Sequence, residues 1–254
     1  MTIYEPHFRR DKKNVPILSK DEINFFAERY VAEFQPDILC TPQPFDIEGF
    51  LEQYLKLTLD YQYLSHDGRY LGMTVFSNTD KVIVYQPERE CAEYLRANHG
   101  TVIIDNTLLE IPLEHRYRFT LGHECGHWVF HRSFYGYDPY QLSLFDTDIP
   151  YLKCREVNAC YLYDDINGWD AERWMEWQAD KFAAAILMPR TCIKTIFNSF
   201  PFPFSSASAD AYRAVENVSA TYNVSKQAAY LRLCDLEIIR KPDSALQYRQ
   251  LSFL

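Results

Sequence analysis

No run of apolar residues in this chain of 254 approaches the roughly 18 that a membrane-spanning helix needs, so no span is expected. Met1 to Asn14 is charged and lacks the apolar stretch of a secretory leader. No dense basic run occurs, and 26 Lys and Arg against 35 Asp and Glu leave a net charge of −9. That balance argues against non-specific attraction to nucleic-acid phosphates. The seven cysteines (Cys40, Cys91, Cys125, Cys154, Cys160, Cys192, Cys234) are odd in number and have no CxxC spacing. Free thiols in a reducing, cytoplasmic setting are the expectation. Aromatics, by contrast, are plentiful at 16%. They supply packing area, and tyrosine exposed among them would suit a peptide-binding surface.

Arg118 to His131 reads Arg-Phe-Thr-Leu-Gly-His-Glu-Cys-Gly-His-Trp-Val-Phe-His and contains His-Glu-x-x-His. In a helix, at about 100° per residue, His123 and His127 fall one turn apart on one face, where two imidazoles can bind one metal ion. Glu124 lies about 100° to the side, able to serve as general base toward a water there without being a ligand. Pro112 suits a first turn, and no proline follows before Pro139. Gly122 and Gly126 each weaken a free helix by roughly 1 kcal/mol relative to alanine. Recurring beside the histidines, they imply another element pressed close. The pentapeptide alone is equally compatible with two partly buried histidines on an amphipathic helix.

A second segment, Asp170 to Pro189, tips that balance. Asp170 is a good N-cap, Pro189 a good stop, and the interior is rich in helix formers. Glu176 and Asp180 stand four residues apart on one face, which Ala179 and Ala183 complete with minimal bulk. Two carboxylates and two alanines suit a helix laid against Gly122 and Gly126. Glu176 is then the third ligand to Zn²⁺, and Asp180 accepts the free ring N–H of a ligating histidine.

His-Glu-x-x-His followed by Glu-x-x-x-Asp is similar to the zincin metallopeptidases that draw their third ligand from a glutamate. The local wording resembles the ImmA/IrrE family in particular. The similarity lies in Arg118 to His127, in Glu176 to Pro189, in Thr101-Val-Ile-Ile-Asp-Asn, and in Tyr222-Asn-Val-Ser-Lys-Gln-Ala-Ala-Tyr-Leu-Arg-Leu. It spans roughly residues 70 to 236. The resemblance implies a cytoplasmic protease that cleaves a partner transcriptional repressor of the helix-turn-helix type. One departure is the interval between His127 and Glu176, 49 positions, longer than compact members would have. It bears on the shape of the cleft rather than on the metal ligands.

The rest of the chain supplies a scaffold. Residues 1 to 18 read as extended or poorly ordered. Ser19-Lys-Asp-Glu22 is a capping box opening a helix, and a second helix is expected near Ile47 to Leu57. Strand-like runs follow at about Leu59–Leu64, Tyr70–Phe76, Lys81–Gln86 and Thr101–Asp105, with Ser77 to Asp80 as a hairpin turn and a short helix in Glu88 to Asn98. Ser133 to Asp170, with Tyr135, Tyr137, Tyr140, Tyr151, Tyr161 and Tyr163, reads as an irregular surface loop; one tyrosine stabilising an oxyanion is the sharper alternative. His131 is assigned to the helix C-terminus, capping carbonyls, in preference to a fourth ligand. Cys125 points away from the ligand face into the packing. Ala209 to Ala220 and Ser225 to Leu236 form a helix pair. Packing on the core is favoured over DNA reading, because only Lys226 and Arg232 decorate the second helix.

The expectation is an α+β zincin-like metallopeptidase: a helical extension over residues 1–58, a core over 59–200 and a C-terminal helical region over 201–254. Zn²⁺ would be held by His123, His127 and Glu176, with Glu124 as catalytic base and Asp180 behind the ligands. The substrate would be a protein partner, with no direct nucleic-acid or membrane contact and no oligomeric state implied. A zinc-dependent binding or sensor module that inactivates a regulator without cutting it is the competing class. An intact Glu124 counts against it.

Overall fold

The structure, a computed structural model, describes residues 3–110, 112–135, 168–200 and 202–242, and the backbone alone of 151–155. The first elements are two short strands, β1 (Arg9–Arg10) and β2 (Pro16–Ile17), paired antiparallel where the sequence implied only extended chain. Helix α1 (Lys20–Phe34) opens on Ser19, whose side chain accepts from the Glu22 N–H while the Glu22 carboxylate accepts from the Ser19 N–H. This reciprocal cap satisfies two of the donors a helix start leaves open. Ile23, Phe26, Ala27, Tyr30 and Val31 recur at helical spacing and are all buried. Helix α2 (Ile47–Gly49), capped by Asp46, runs on as a π turn over Phe50–Tyr54.

Five strands follow: β3 (Thr58–Gln62), β4 (Tyr70–Val75), β5 (Thr79–Gln86), β6 (Cys91–Ala97) and β7 (Thr101–Asp105). Helix α3 (Glu114–Tyr135), strand β8 (Tyr151–Arg155) and helix α4 (Ala171–Leu187) come next. Helices α5 (Arg190–Phe197), α6 (Ala209–Tyr222) and α7 (Lys226–Asp235) complete the described chain. It is a mixed α+β fold built on small sheets. The main sheet has the order β3-β7-β4-β8, with β3 and β7 parallel and the other pairs antiparallel.

Two expectations are corrected here. Ser77 to Asp80 is not a hairpin turn, because β4 pairs with β7 and β8 whereas β5 pairs with β6 in a separate ribbon. Nor is Glu88 to Asn98 helical: Cys91–Ala97 is the second strand of that ribbon. Its Ala, Glu, Leu and Arg favour helix as isolated residues, and pairing along β5 overrides that weak preference. Within the interval expected to be irregular, Tyr151–Arg155 adds to the sheet beside β4.

Central strand β7 is buried along its whole length and separates two clusters by its alternation. Val102 and Ile104 face the helices; Ile103, with Met73 and Val75 of β4, faces Val82 and Val84 of the ribbon. The larger, helix-side cluster runs continuously from Leu18 to Ile239. It includes Ala211, Val215, Val218, Ala229, Tyr230 and Leu233 of α6 and α7, so that helix pair packs on the body. Of its two noted cations, Arg232 is buried, donating to the Met188 carbonyl and to Asn24 Oδ1, and Lys226 pairs with Glu216.

Asp235, at the end of α7, joins three helices. Its carboxylate, 5% exposed, accepts from Lys20 Nζ of α1 at 2.7 Å and from Lys181 Nζ of α4. Burial pushes its pKa up, but the Lys181 and Lys20 ammonium groups outweigh burial and hold it down to about 2. A folded value below the unfolded one stabilises the fold above the ordinary carboxylate range near 4. The contribution disappears as pH falls from there through about 2. Asp235→Asn is expected to cost about 3 kcal/mol at neutral pH, since it strands the lysines. In urea melts the gap from wild type should close as pH drops from about 4 towards 2.

Candidate metal centre

The sequence-predicted residues come from two helices, His123, Glu124 and His127 from α3 and Glu176 and Asp180 from α4. Helix α3 begins two residues after Pro112, and α4 opens on Asp170, whose side chain accepts from the Arg173 N–H. The two pack closely because their facing residues carry almost no side chain. A Cβ on Gly126 would stand 3.0 Å from Ala179 Cα, and one on Gly122 would stand 3.2 Å from Ala183 Cα. Tight packing of backbone on backbone offsets the helix-weakening cost of the glycines.

Where the helices touch, three side chains converge. His123 Nε2 and His127 Nε2 are 2.8 Å apart, and the Glu176 oxygens lie 3.5 Å from the first and 3.4 Å from the second. One ligand atom from each residue lies within 4.8 Å of the others, so His123, His127 and Glu176 could hold a metal ion. The chemistry of the donors fits one. Glu176 Oε1 is buried and has no hydrogen-bond partner among the described residues, an arrangement that is costly unless a cation is shared. Asp180 Oδ1 lies 2.7 Å from His123 Nδ1. A carboxylate accepts, so Nδ1 carries the proton and the Nε2 lone pair is left for the metal.

A proton competes for the same His123 lone pair. Burial opposes charge on His123, but the Asp180 and Glu176 carboxylates outweigh it and hold the imidazole well above the ordinary histidine range. Burial alone would raise Glu176; the adjoining His123 and His127 rings outweigh it and hold the carboxyl far below the usual carboxylate value. The centre therefore keeps its carboxylate ionised inside the protein.

Glu124, next to His123 in the chain, is fully buried and is not one of the three clustered residues. Strand β4 positions it. Thr74 Oγ1 donates to Glu124 Oε2, and Gly72 makes room, since a Cβ there would stand 2.3 Å from Glu124 Oε1. Neither residue stood out in the sequence. Alternation along β4 separates its two faces, but it does not say which helical side chain meets which strand residue.

His131 is a correction. It does not cap the terminal carbonyls of α3. It lies fully buried four residues before the helix end, with Nδ1 2.9 Å from His127 Nδ1 and Nε2 2.9 Å from Gln178 Oε1. Burial and the neighbouring His127 push its pKa well down. Its spacing of four residues, one turn, after His127 carried the signal, while Gln178 offered none. Cys125 is buried in the core as its direction on the helix implied, and burial pushes its thiol well up. Cys40, Cys91, Cys125, Cys192 and Cys234 are free thiols. Tyr135 ends α3, stacked on Phe76 with ring centroids 4.8 Å apart. Tyr137, Tyr140, Tyr161, Tyr163 and Cys160 lie outside the described residues, as do the side chains of Tyr151 and Cys154. Among the described residues, no helix is long and apolar enough to cross a membrane. No model of a known protein family matches the chain, and no curated protein matches it.

Proposed function

We propose that this chain is a zinc-dependent endopeptidase with a zincin-like core, acting on a protein partner. The observation that carries this reading is the convergence of His123, His127 and Glu176 from two helices, with Glu124, next in the chain to His123, buried and bonded by Thr74. Three protein ligands are the number typical of catalytic zinc, whereas structural sites close with four. Zinc bound there would lower the pKa of a water to about 7 and polarise the scissile carbonyl.

The protein's own residues do the rest. Asp180 keeps His123 in the tautomer that presents Nε2. Glu124, held by its bond from Thr74, takes the proton of the attacking water and returns it to the leaving amine. The resemblance of Arg118 to His127 and Glu176 to Pro189 to the ImmA/IrrE family supports a substrate of the helix-turn-helix repressor class and regulatory proteolysis in the cytoplasm.

Metal analysis of the purified protein tests the first half of this reading, with about one zinc per chain expected. Replacing all seven cysteines by serine should leave that content unchanged, because no thiol is a proposed ligand. Zinc lost in Cys154→Ala or Cys160→Ala alone would place the metal elsewhere. Incubating the protein with a repressor encoded beside it tests the second half, with discrete new fragments as the expected outcome.

A further inference from the structure

The two imidazoles of the centre are backed differently. His123 leans on a carboxylate, Asp180, whereas the far nitrogen of His127 meets another imidazole. Behind His131 the chain of contacts continues: its Nε2 is 2.9 Å from Gln178 Oε1, and Gln178 Nε2 donates to the Pro16 carbonyl at 2.8 Å. His127, His131 and Gln178 are at most 1% exposed, and Pro16 is buried in β2.

Every proton in this row follows from its last member. A backbone carbonyl can only accept, so the Gln178 amide must turn its NH₂ to Pro16 and its oxygen to His131. An amide oxygen also only accepts, so His131 carries its proton on Nε2. A buried imidazole whose nitrogens both face uncharged groups is neutral, which leaves His131 Nδ1 with a lone pair. His127 must then donate from Nδ1, and its Nε2 lone pair is aimed at the point between Glu176 and His123 Nε2 that a shared cation would fill. Reversing any one link would set two donors or two acceptors face to face among groups at most 1% exposed.

We infer that His131, Gln178 and the Pro16 carbonyl are a positioning relay that fixes the tautomer and ring orientation of His127, making the N-terminal strand β2 part of the metal centre. The relay adds no charge. A second carboxylate in its place would orient His127 equally well, but it would add negative charge and blunt the electrophilic character of a bound cation. With one ligand histidine backed by Asp180 and the other by a neutral row, the ligands and the groups behind them bring two carboxylates, Glu176 and Asp180, to the two positive charges of a divalent ion.

The inference rests on the metal-site reading above, and its test is separable from it. Long-range ¹H–¹⁵N correlation spectra of the full chain, apo and zinc-loaded, report which nitrogen of each histidine carries hydrogen. His127 should be protonated on Nδ1 and His131 on Nε2 in both states. Gln178→Met removes the acceptor while keeping the bulk. It should give mixed His131 and His127 tautomers in the apo protein and weaken zinc binding about 10- to 100-fold in chelator competition. His131 protonated on Nδ1 in the wild type, which needs no variant to fold, overturns the relay even if zinc content stays at one per chain. So does Gln178→Met with His127 tautomer and affinity unchanged. Absence of zinc from the wild type would instead count against the metal-site reading itself.

Discussion

Glu124→Gln is expected to keep zinc and the fold and to lose cleavage of the partner protein by at least the ~10²–10⁴-fold attributed to a positioned general base. The side chain is fully buried, so a substitution of equal size matters. Glutamine can still offer an oxygen to Thr74 Oγ1, which preserves the contact with β4. It cannot take a proton from water at neutral pH. Repressor integrity on a gel, read beside reporter derepression, measures the effect in cells carrying wild type, Glu124→Gln or His123→Ala. A module that regulates by binding would behave the other way, keeping its effect in Glu124→Gln and losing it only with the ligands. Full derepression by Glu124→Gln with the repressor intact would remove the peptidase reading and leave the binding module.

Glu176→Ala should abolish zinc retention, as should His123→Ala and His127→Ala. Glu176 is the informative member because it alone comes from α4, and it sits at the rim with its side chain 19% exposed. Its truncation opens little of the core, so a lost metal in a chain that still unfolds cooperatively reports on ligation. Asp180→Asn should be milder, with affinity falling about 10- to 100-fold. Asparagine can still accept from His123 Nδ1, but without the charge that makes the ring a stronger ligand. Isothermal titration or chelator competition on the apo proteins resolves both. Wild-type affinity in Glu176→Ala would remove the third-ligand assignment.

The ligand cluster was legible because it depends on local regularities. Helical spacing sets His123 against His127 and Glu176 against Asp180, and paired glycines and alanines mark where two such helices can touch. The capping box at Ser19 and the strand Thr101–Asp105 were legible for the same reason, each being defined by its own few residues. What escaped depends on partners distant in the chain. Thr74 and Gly72 meet Glu124 only after β4 is placed across α3, and the strand Cys91–Ala97 exists because β5 lies alongside it. His131 was visible but misassigned. Its position near the helix end favoured carbonyl capping, whereas Gln178, brought in by α4, gave its ring a better partner.

The contact of Gly122 and Gly126 with Ala183 and Ala179 also bears on how this protein can change over generations. The separation of the two ligand-bearing helices is set by that contact and not by the chain joining them. Doubling the length of a joining segment costs only about 0.6 kcal/mol of closure entropy. Insertions between His127 and Glu176 can therefore accumulate, reshaping whatever partner is met, while the ligand geometry stays the same. A single residue added inside α4 between Glu176 and Ala179 is a different event. It swings that carboxylate about 100° around the helix and off the centre altogether. Lineages of this chain should accordingly vary freely in the joining segment and hardly at all in the count of residues from Glu176 to Ala183.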